Sequence, residues 1–332
     1  MRVVFCGSGV FAVASLQAIM GSGRHELVGV ITQPARPSGR GGVLARTPVA
    51  QAAAAAGHAV LEIDKINTPA AMEAIAAMRG DVMAVADFGQ FIRAPVRDLF
   101  RWRAFNLHGS LLPALRGAAP VNWAIIRGLS RTGVTTFDLV DKMDAGPMYL
   151  TADTEITPTE TAAELRLRLA ELGAQLVLKT LDAMAAGTLA GVAQDESAAT
   201  LAPKLTKADG IVDWSADAEA IRCRVNGTWP WPGCHMVFHG SRHADVPVVL
   251  ARAASAAGGP PGEGGTLDFV PHDGGRELMV ATGSGRLRVM QLQPAGKRLM
   301  DWKDFVNGYR VATGDRFVAP PAAGAGEANG SP

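Results

Sequence analysis

Three side chains able to handle an acyl group and a proton fall in one stretch of this 332-residue chain: Asn106, His108 and Ser110, in FNLHGSLLPALRGAAPVNW at 105–123. They stand at alternate positions, and in an extended strand residues i, i+2 and i+4 share a face. The spacing predicts an amide, an imidazole and a hydroxyl pointing one way, from a strand ended by Leu111, Leu112 and Pro113. Three polar groups there are costly unless bonded or used. A fourth group, Asp144, lies in DKMDAGP at 141–147. An imidazole can take a proton from an amine, and a nearby carboxylate can fix its tautomer and stabilise the imidazolium. A carboxamide N–H can bond an oxygen that gains charge as a carbonyl becomes tetrahedral. Together these suit acyl transfer to an amine that attacks directly. Spacing alone leaves the bland alternative open: a satisfied core histidine, and an aspartate that merely starts a turn.

Other candidates carry less. His235, His239 and His243 recur every four residues, a metal-binding face on a helix, but glycines and an apolar run point to strand and turn, so no metal is expected. Ser110 lacks the G-x-S-x-G elbow of a nucleophilic serine. Gly7–Ala12 fits G-x-G-x-x-A, yet the second strand ends in Ile31-Thr32-Gln33-Pro34 with no acid for a ribose. A glycine-permitted turn against a sheet is the better reading. Trp229, Trp231 and Trp302 read as packing residues.

The elements that must position these groups alternate. Strands are expected at 2–6, 27–32, 59–63 and 82–86, with helices at 11–21, 51–56 and 70–78. Such β-α-β-α order implies a mostly parallel sheet covered on both faces, an α/β Rossmann-like architecture. A helix is expected at 119–127, strands at 135–139 and 148–151, and a helical leucine stripe at 160–186. Residues 34–48 hold three arginines (Arg36, Arg40, Arg46), no acid, and glycines and prolines that predict no regular structure. A solvated loop and a cationic arm for phosphate are both open. Small residues at 187–210 form a joint. Beyond it, one helix at 217–225 and short apolar runs among Gly, Pro and Asp suggest an all-β domain. Five basic residues face one acid over 276–298, a local patch or a solvated face. From 320 the tail is too poor in apolar bulk to fold.

Composition limits the classes. With 48% hydrophobic and 19% charged residues the chain can bury two cores, and a net charge of +1 neither demands nor excludes nucleic acid. Three cysteines without a C-x-x-C pair fit a reducing cytoplasm. The start does not read as a signal peptide, and no apolar stretch approaches the ~18 residues of a membrane span.

The pattern N-x-H-x-S-L-L-P-x-x-R-G-x-x-P resembles the signature of the folate-dependent formyltransferases. TQPARPSGRG, TGVTTF with MDAGP, LAPKLTKADGIVDW, WPWPG and LQPAGKRLMDWKDFVNGYR extend the likeness over nearly the whole chain, the last three resembling its tRNA-directed branch. The resemblance implies a catalytic domain at 1–189, a linker at 190–208, an OB-like β-barrel domain at 209–317 and a disordered tail at 318–332. It implies transfer of a formyl group from 10-formyl-tetrahydrofolate to the α-amine of methionyl initiator tRNA, by a cytoplasmic monomer without metal or membrane contact. Asn106, His108 and Asp144 would be the catalytic trio. Ser110, Leu111, Leu112 and Pro113 would line the folate pocket, with Phe88, Gly89 and Gln90 nearby. Arg36, Arg40 and Arg46, with Lys204, Lys207, Lys297 and Arg298, would meet the tRNA. A sugar-nucleotide formyltransferase and a non-catalytic folate- or RNA-binding protein are the alternatives. The chain departs from the pattern at Val10, where the family carries an acid, and at Asp87, where it carries an apolar residue.

Overall fold

The computed structural model describes residues 1–38, 43–258, 262–272 and 275–320. Backbone contacts divide the chain into two compact units: Met1–Ala124, Ser130–Glu155 and Glu164–Lys204 form the first, and Ile125–Leu129, Ile156–Ala163 and the rest from Leu205 form the second.

The first unit is built on a seven-stranded sheet. Its elements are β1 (Arg2–Gly7), α1 (Val10–Gly21), β2 (Glu26–Thr32), β3 (Arg36–Ser38), β4 (Val43–Ala45), α2 (Pro48–Ala55), β5 (Val60–Glu62), α3 (Pro69–Ala77), β6 (Val82–Ala86), α4 (Ala94–Arg97), β7 (Ala104–His108), α5 (Pro120–Ile126), β8 (Arg131–Asp138), β9 (Met148–Glu155) and α6 (Ala162–Ala185). The order is β5-β2-β1-β6-β7-β8-β9, parallel through β7 and antiparallel at β8 and β9. β6 is buried at every position, as a strand covered on both faces must be. Thr47 and Thr68 cap α2 and α3 by accepting from Ala50 and Ala71 N–H groups, each with proline at the first helical position. On α6, Leu165, Leu169, Leu176 and Leu181 are core, each worth ~1.5–3 kcal/mol of burial. A Cβ at Gly173 would lie 2.6 Å from Leu107 Cδ2, so glycine lets α6 close against β7. That side takes Leu107, and the opposite face of β7 carries Asn106 and His108.

Two expectations change here. Residues 34–48 are not free of regular structure, because β3 and β4 pair antiparallel with Arg36 opposite Ala45. Two three-residue strands are too short to show a period. The site strand ends at His108, so Ser110 lies in the turn beyond it and not on a shared strand face.

The second unit contains α7 (Ala218–Thr228), β10 (Cys234–Gly240), β11 (His243–Ala256), β12 (Leu267–His272), β13 (Gly275–Ala281), β14 (Arg286–Pro294), β15 (Met300–Asp301), α8 (Trp302–Tyr309) and β16 (Arg316–Val318). The strand order is β12-β13-β14-β11-β10-β16. The Phe317 N–H donates to Gly265 O (2.9 Å) and the Leu267 N–H to Asp315 O (2.8 Å), which closes β16 onto the start of β12 as an antiparallel barrel. Closure removes the open edges, and Phe238, Phe305 and Phe317 fill the interior. His235 and His239 lie on β10. Four residues of strand separate them by ~13 Å, too far to share a metal.

Candidate active site

The C-terminal end of β7 presents two polar side chains and the turn after it supplies their surroundings. His108 is buried at 6% exposure. Its Nε2 lies 2.9 Å from Leu115 O. A carbonyl can only accept, so Nε2 carries the ring proton and Nδ1 bears the lone pair of the neutral imidazole. Nδ1 faces Asp144 Oδ2 at 3.8 Å, too long for a hydrogen bond. The tautomer is thus set by Leu115 and not, as expected, by Asp144. A proton gained at Nδ1 would arrive beside the Asp144 carboxylate, whose opposite charge attracts it. Phe137 meets the imidazole edge-on at 6.3 Å.

Asn106, two residues earlier on the same face, is half-buried, and its carboxamide has no hydrogen-bond partner among the described residues. Asp144, at φ +50°, accepts at Oδ2 from the Gly117 N–H (2.8 Å). Gly117 sits at φ +123°, where only glycine is unstrained. The structure brings His108 and Asp144 together and places Asn106 on the strand face that carries the imidazole.

Ser110 is fully buried and its hydroxyl donates to Ala114 O at 2.6 Å. The Thr135 hydroxyl donates to Ser110 O and accepts from the Leu112 N–H. Ser110 shapes the turn; Leu111 and Pro113 are half-buried and Leu112 is buried at 5% exposure. Of the second expected segment, Phe88 is core, and Gln90 accepts from Ile66 N–H and donates to Ile63 O. Gly89 is exposed, so this segment offers backbone and not side chains.

Asp87 reaches the surface, but its carboxyl lies over the start of α1: a Cβ at Gly9 would come within 1.8 Å of Oδ2. Loss of water around the carboxyl raises its pKa, while Arg166 and the Phe11 N–H oppose the rise. Val10, where the family pattern has an acid, is adjacent.

The cationic candidates stand on several elements. Arg46 donates twice to Glu62 Oε1 (3.1 and 3.0 Å), and Arg36 lies 3.8 Å from Asp64. Arg40 lies outside the described residues, as do positions 321–332 of the expected tail. Lys204 and Lys207 are exposed, and Lys297 and Arg298 are exposed in the turn between β14 and β15. Trp231, expected to pack, is 52% exposed. No group of three or more His, Cys, Asp or Glu that could hold a metal occurs among the described residues. No helix among them is long and apolar enough to cross a membrane.

Sequence reasoning did not single out Leu115, Thr200, Gln194 or Glu196, and met Arg116 only as the arginine of the N-x-H-x-S-L-L-P-x-x-R-G-x-x-P pattern. Arg116 is the exception with a signal: an arginine beside glycine, next to apolar residues, that proves to be 5% exposed.

A half-buried amide, an imidazole with one free nitrogen and a facing carboxylate, at the end of a strand in an α/β sheet, are groups that acyl transfer to an amine can use. The chain belongs to the formyl transferase family: the Formyl transferase model matches residues 1–181 and the Formyl transferase C-terminal domain model residues 204–310. Methionyl-tRNA formyltransferase of Solibacter usitatus is 41% identical over 320 residues, covering 96% of this chain and 98% of that protein. The protein of that name from Roseiflexus sp. is 39% identical over 319 residues, with 96% and 95% covered. The fold is shared with a sugar 3N-formyl transferase (TM-score 0.62, 15% identity, 90% of this chain and 99% of that one). It is also shared with HypX from Aquifex aeolicus solved with tetrahydrofolic acid (TM-score 0.60, 16% identity, 92% and 47%).

Proposed function

We propose that this chain is an enzyme transferring the formyl group of 10-formyl-tetrahydrofolate to the α-amino group of methionyl initiator tRNA. The observation that carries the mechanism is the His108 arrangement: one ring nitrogen committed to Leu115 O and the other open toward Asp144. The acceptor is argued from relatives of that name that match from end to end.

The folate co-substrate supplies a formyl carbon already activated on nitrogen. Residues 110–113 and 88–90 are the segments proposed to hold it; half-buried Leu111 and Pro113 and the exposed backbone at Gly89 suit a flat heteroaromatic ring. Asn106 Nδ2 donates to the formyl oxygen as the amine attacks. His108 Nδ1 takes the proton that the amine nitrogen sheds, Asp144 stabilises the resulting imidazolium, and the same proton is returned to the departing folate nitrogen. The new C–N bond replaces the old, and no net proton is lost. Lys204, Lys207, Lys297, Arg298 and the β3–β4 arginines are proposed tRNA contacts. The division at 1–189, 190–208 and 209–317, action as a monomer and a cytoplasmic location belong to the same reading.

The test is incorporation of label from formylated folate into charged initiator tRNA, charged elongator tRNA and an amino-sugar nucleotide. Product on the initiator alone is expected; product on the amino sugar alone would replace the acceptor. His108→Ala is expected to lower kcat at least ~10²-fold with unchanged folding, and a near-normal rate would remove the mechanism.

A further inference from the structure

Asp144 and Leu115, the two residues that face the imidazole, are both held in the left-handed region, at φ +50° and +59°. Such conformations persist where the surroundings over-determine them. What over-determines them is a segment remote in sequence. The Gln194 amide donates to Asp144 O (2.8 Å) and Gly146 O (2.7 Å), while its oxygen accepts from Arg116 Nε (3.0 Å) and Nη2 (2.8 Å). Carbonyls only accept and a guanidinium only donates, so the amide has one orientation and all its hydrogen-bonding capacity is used. Glu196 holds Arg116 Nη1 and Nη2 at 3.1 and 3.0 Å and receives Lys142 Nζ at 2.6 Å. Thr200 accepts at Oγ1 from the Leu115 N–H (2.9 Å), and the Arg116 and Ala202 N–H groups bond to Thr200 O and Arg116 O.

We propose that Gln194 is a positioning residue of the active site: its amide ties the loop bearing Asp144 to the segment that bonds the His108 imidazole, and so sets the separation of carboxylate and imidazole. The inference rests on the reading of His108 and Asp144 as a catalytic pair. The hydrogen bonds of Gln194 reach neither His108 nor the Asp144 carboxylate, so it acts through where Asp144 stands.

Two variants separate the bonds. Gln194→Met keeps length and removes all four hydrogen bonds. Gln194→Glu keeps an acceptor for Arg116 but turns oxygen toward the carbonyls of Asp144 and Gly146, so only the Asp144 side is lost. Both are expected to lower kcat by about tenfold or more with KM for folate and tRNA within about threefold, the signature of a group acting in the transition state alone. In an Asp144→Asn background, Gln194→Met is expected to cost less than about twofold more, since what it positions is gone. A kcat within about twofold of wild type in both variants, or the full penalty in the Asp144→Asn background, would overturn the proposal. An inactive His108→Ala with normal Gln194 variants refutes this inference alone, whereas an active His108→Ala refutes the reading beneath it.

Discussion

At the scale of single residues, Asn106 and His108 share a strand face and differ in one respect: the imidazole has a fixed internal partner and the carboxamide has none among the described residues. An unpartnered donor of this kind is available to a developing oxyanion, and replacing it by an acceptor should hurt the transition state and not the ground state. Asn106→Asp is expected to lower kcat by about 10²–10³-fold with little change in folate KM, read by steady-state formylation. A KM effect alone would mean that Asn106 only holds substrate. Asp87 makes the opposite case. Loss of water around its carboxyl, which lies over the start of α1, raises its pKa above the ordinary 3.8, so the folded protein holds this proton more tightly than the unfolded chain does. Ionisation then disfavours the fold, and stability is lost as pH rises from below 3.8 through the folded-state pKa. Asp87→Asn should therefore be the more stable protein in urea at pH 7, its advantage shrinking as pH falls toward ~3.8; a variant less stable at pH 7 would show that the contacts with Arg166 and Phe11 N–H outweigh burial.

At the scale of elements, what could be read from the sequence was what repeats. Fully apolar runs such as 82–86 marked the sheet, and the alternate spacing of Asn106 and His108 marked a shared face. Ser110 broke that pattern because Gly109 ends the strand, and β3 and β4 were hidden by the prolines and glycines around them. The loops facing His108 matched a family pattern but carried no periodicity from which their shape could be read, since their order comes from partners such as Gln194 and Glu196, 78 and 80 positions from Arg116. Gly117 shows how tightly those loops are fitted. It sits at φ +123°, its N–H reaches Asp144, and a Cβ would stand 2.6 Å from Ala202 O, a backbone atom that the pairing with Arg116 holds in place. Gly117→Ala is expected to cost ~2–3 kcal/mol in urea unfolding, and to lower kcat through displacement of Asp144. Wild-type stability would mean that the segment at 200–202 yields, contrary to the close packing described.

At the scale of the whole molecule, a net charge of +1 cannot steer a polyanion by itself, so any grip on tRNA must come from local cations. Arg36 and Arg46 are such cations, but each already stands beside a carboxylate, Asp64 at 3.8 Å and Glu62 at 3.0 Å. Exposed pairs of this kind are worth only ~0–1 kcal/mol, so trading them for phosphate costs little, and Arg36 pairs opposite Ala45, the residue before Arg46, so the two arginines stand near each other. Two consequences have opposite signs. Removing the arginines together, as Arg36→Gln with Arg46→Gln, should weaken tRNA binding and flatten the plot of log K against log salt by about 1.4–1.8, because each phosphate contact contributes ~0.7–0.9. Removing the carboxylates, as Glu62→Gln with Asp64→Asn, should tighten binding slightly and leave the slope unchanged, since the number of phosphates met is the same. Filter binding across a salt series measures both. An unaltered slope in the arginine variant would assign the hairpin to solvent and shift the tRNA contacts to Lys204, Lys207, Lys297 and Arg298.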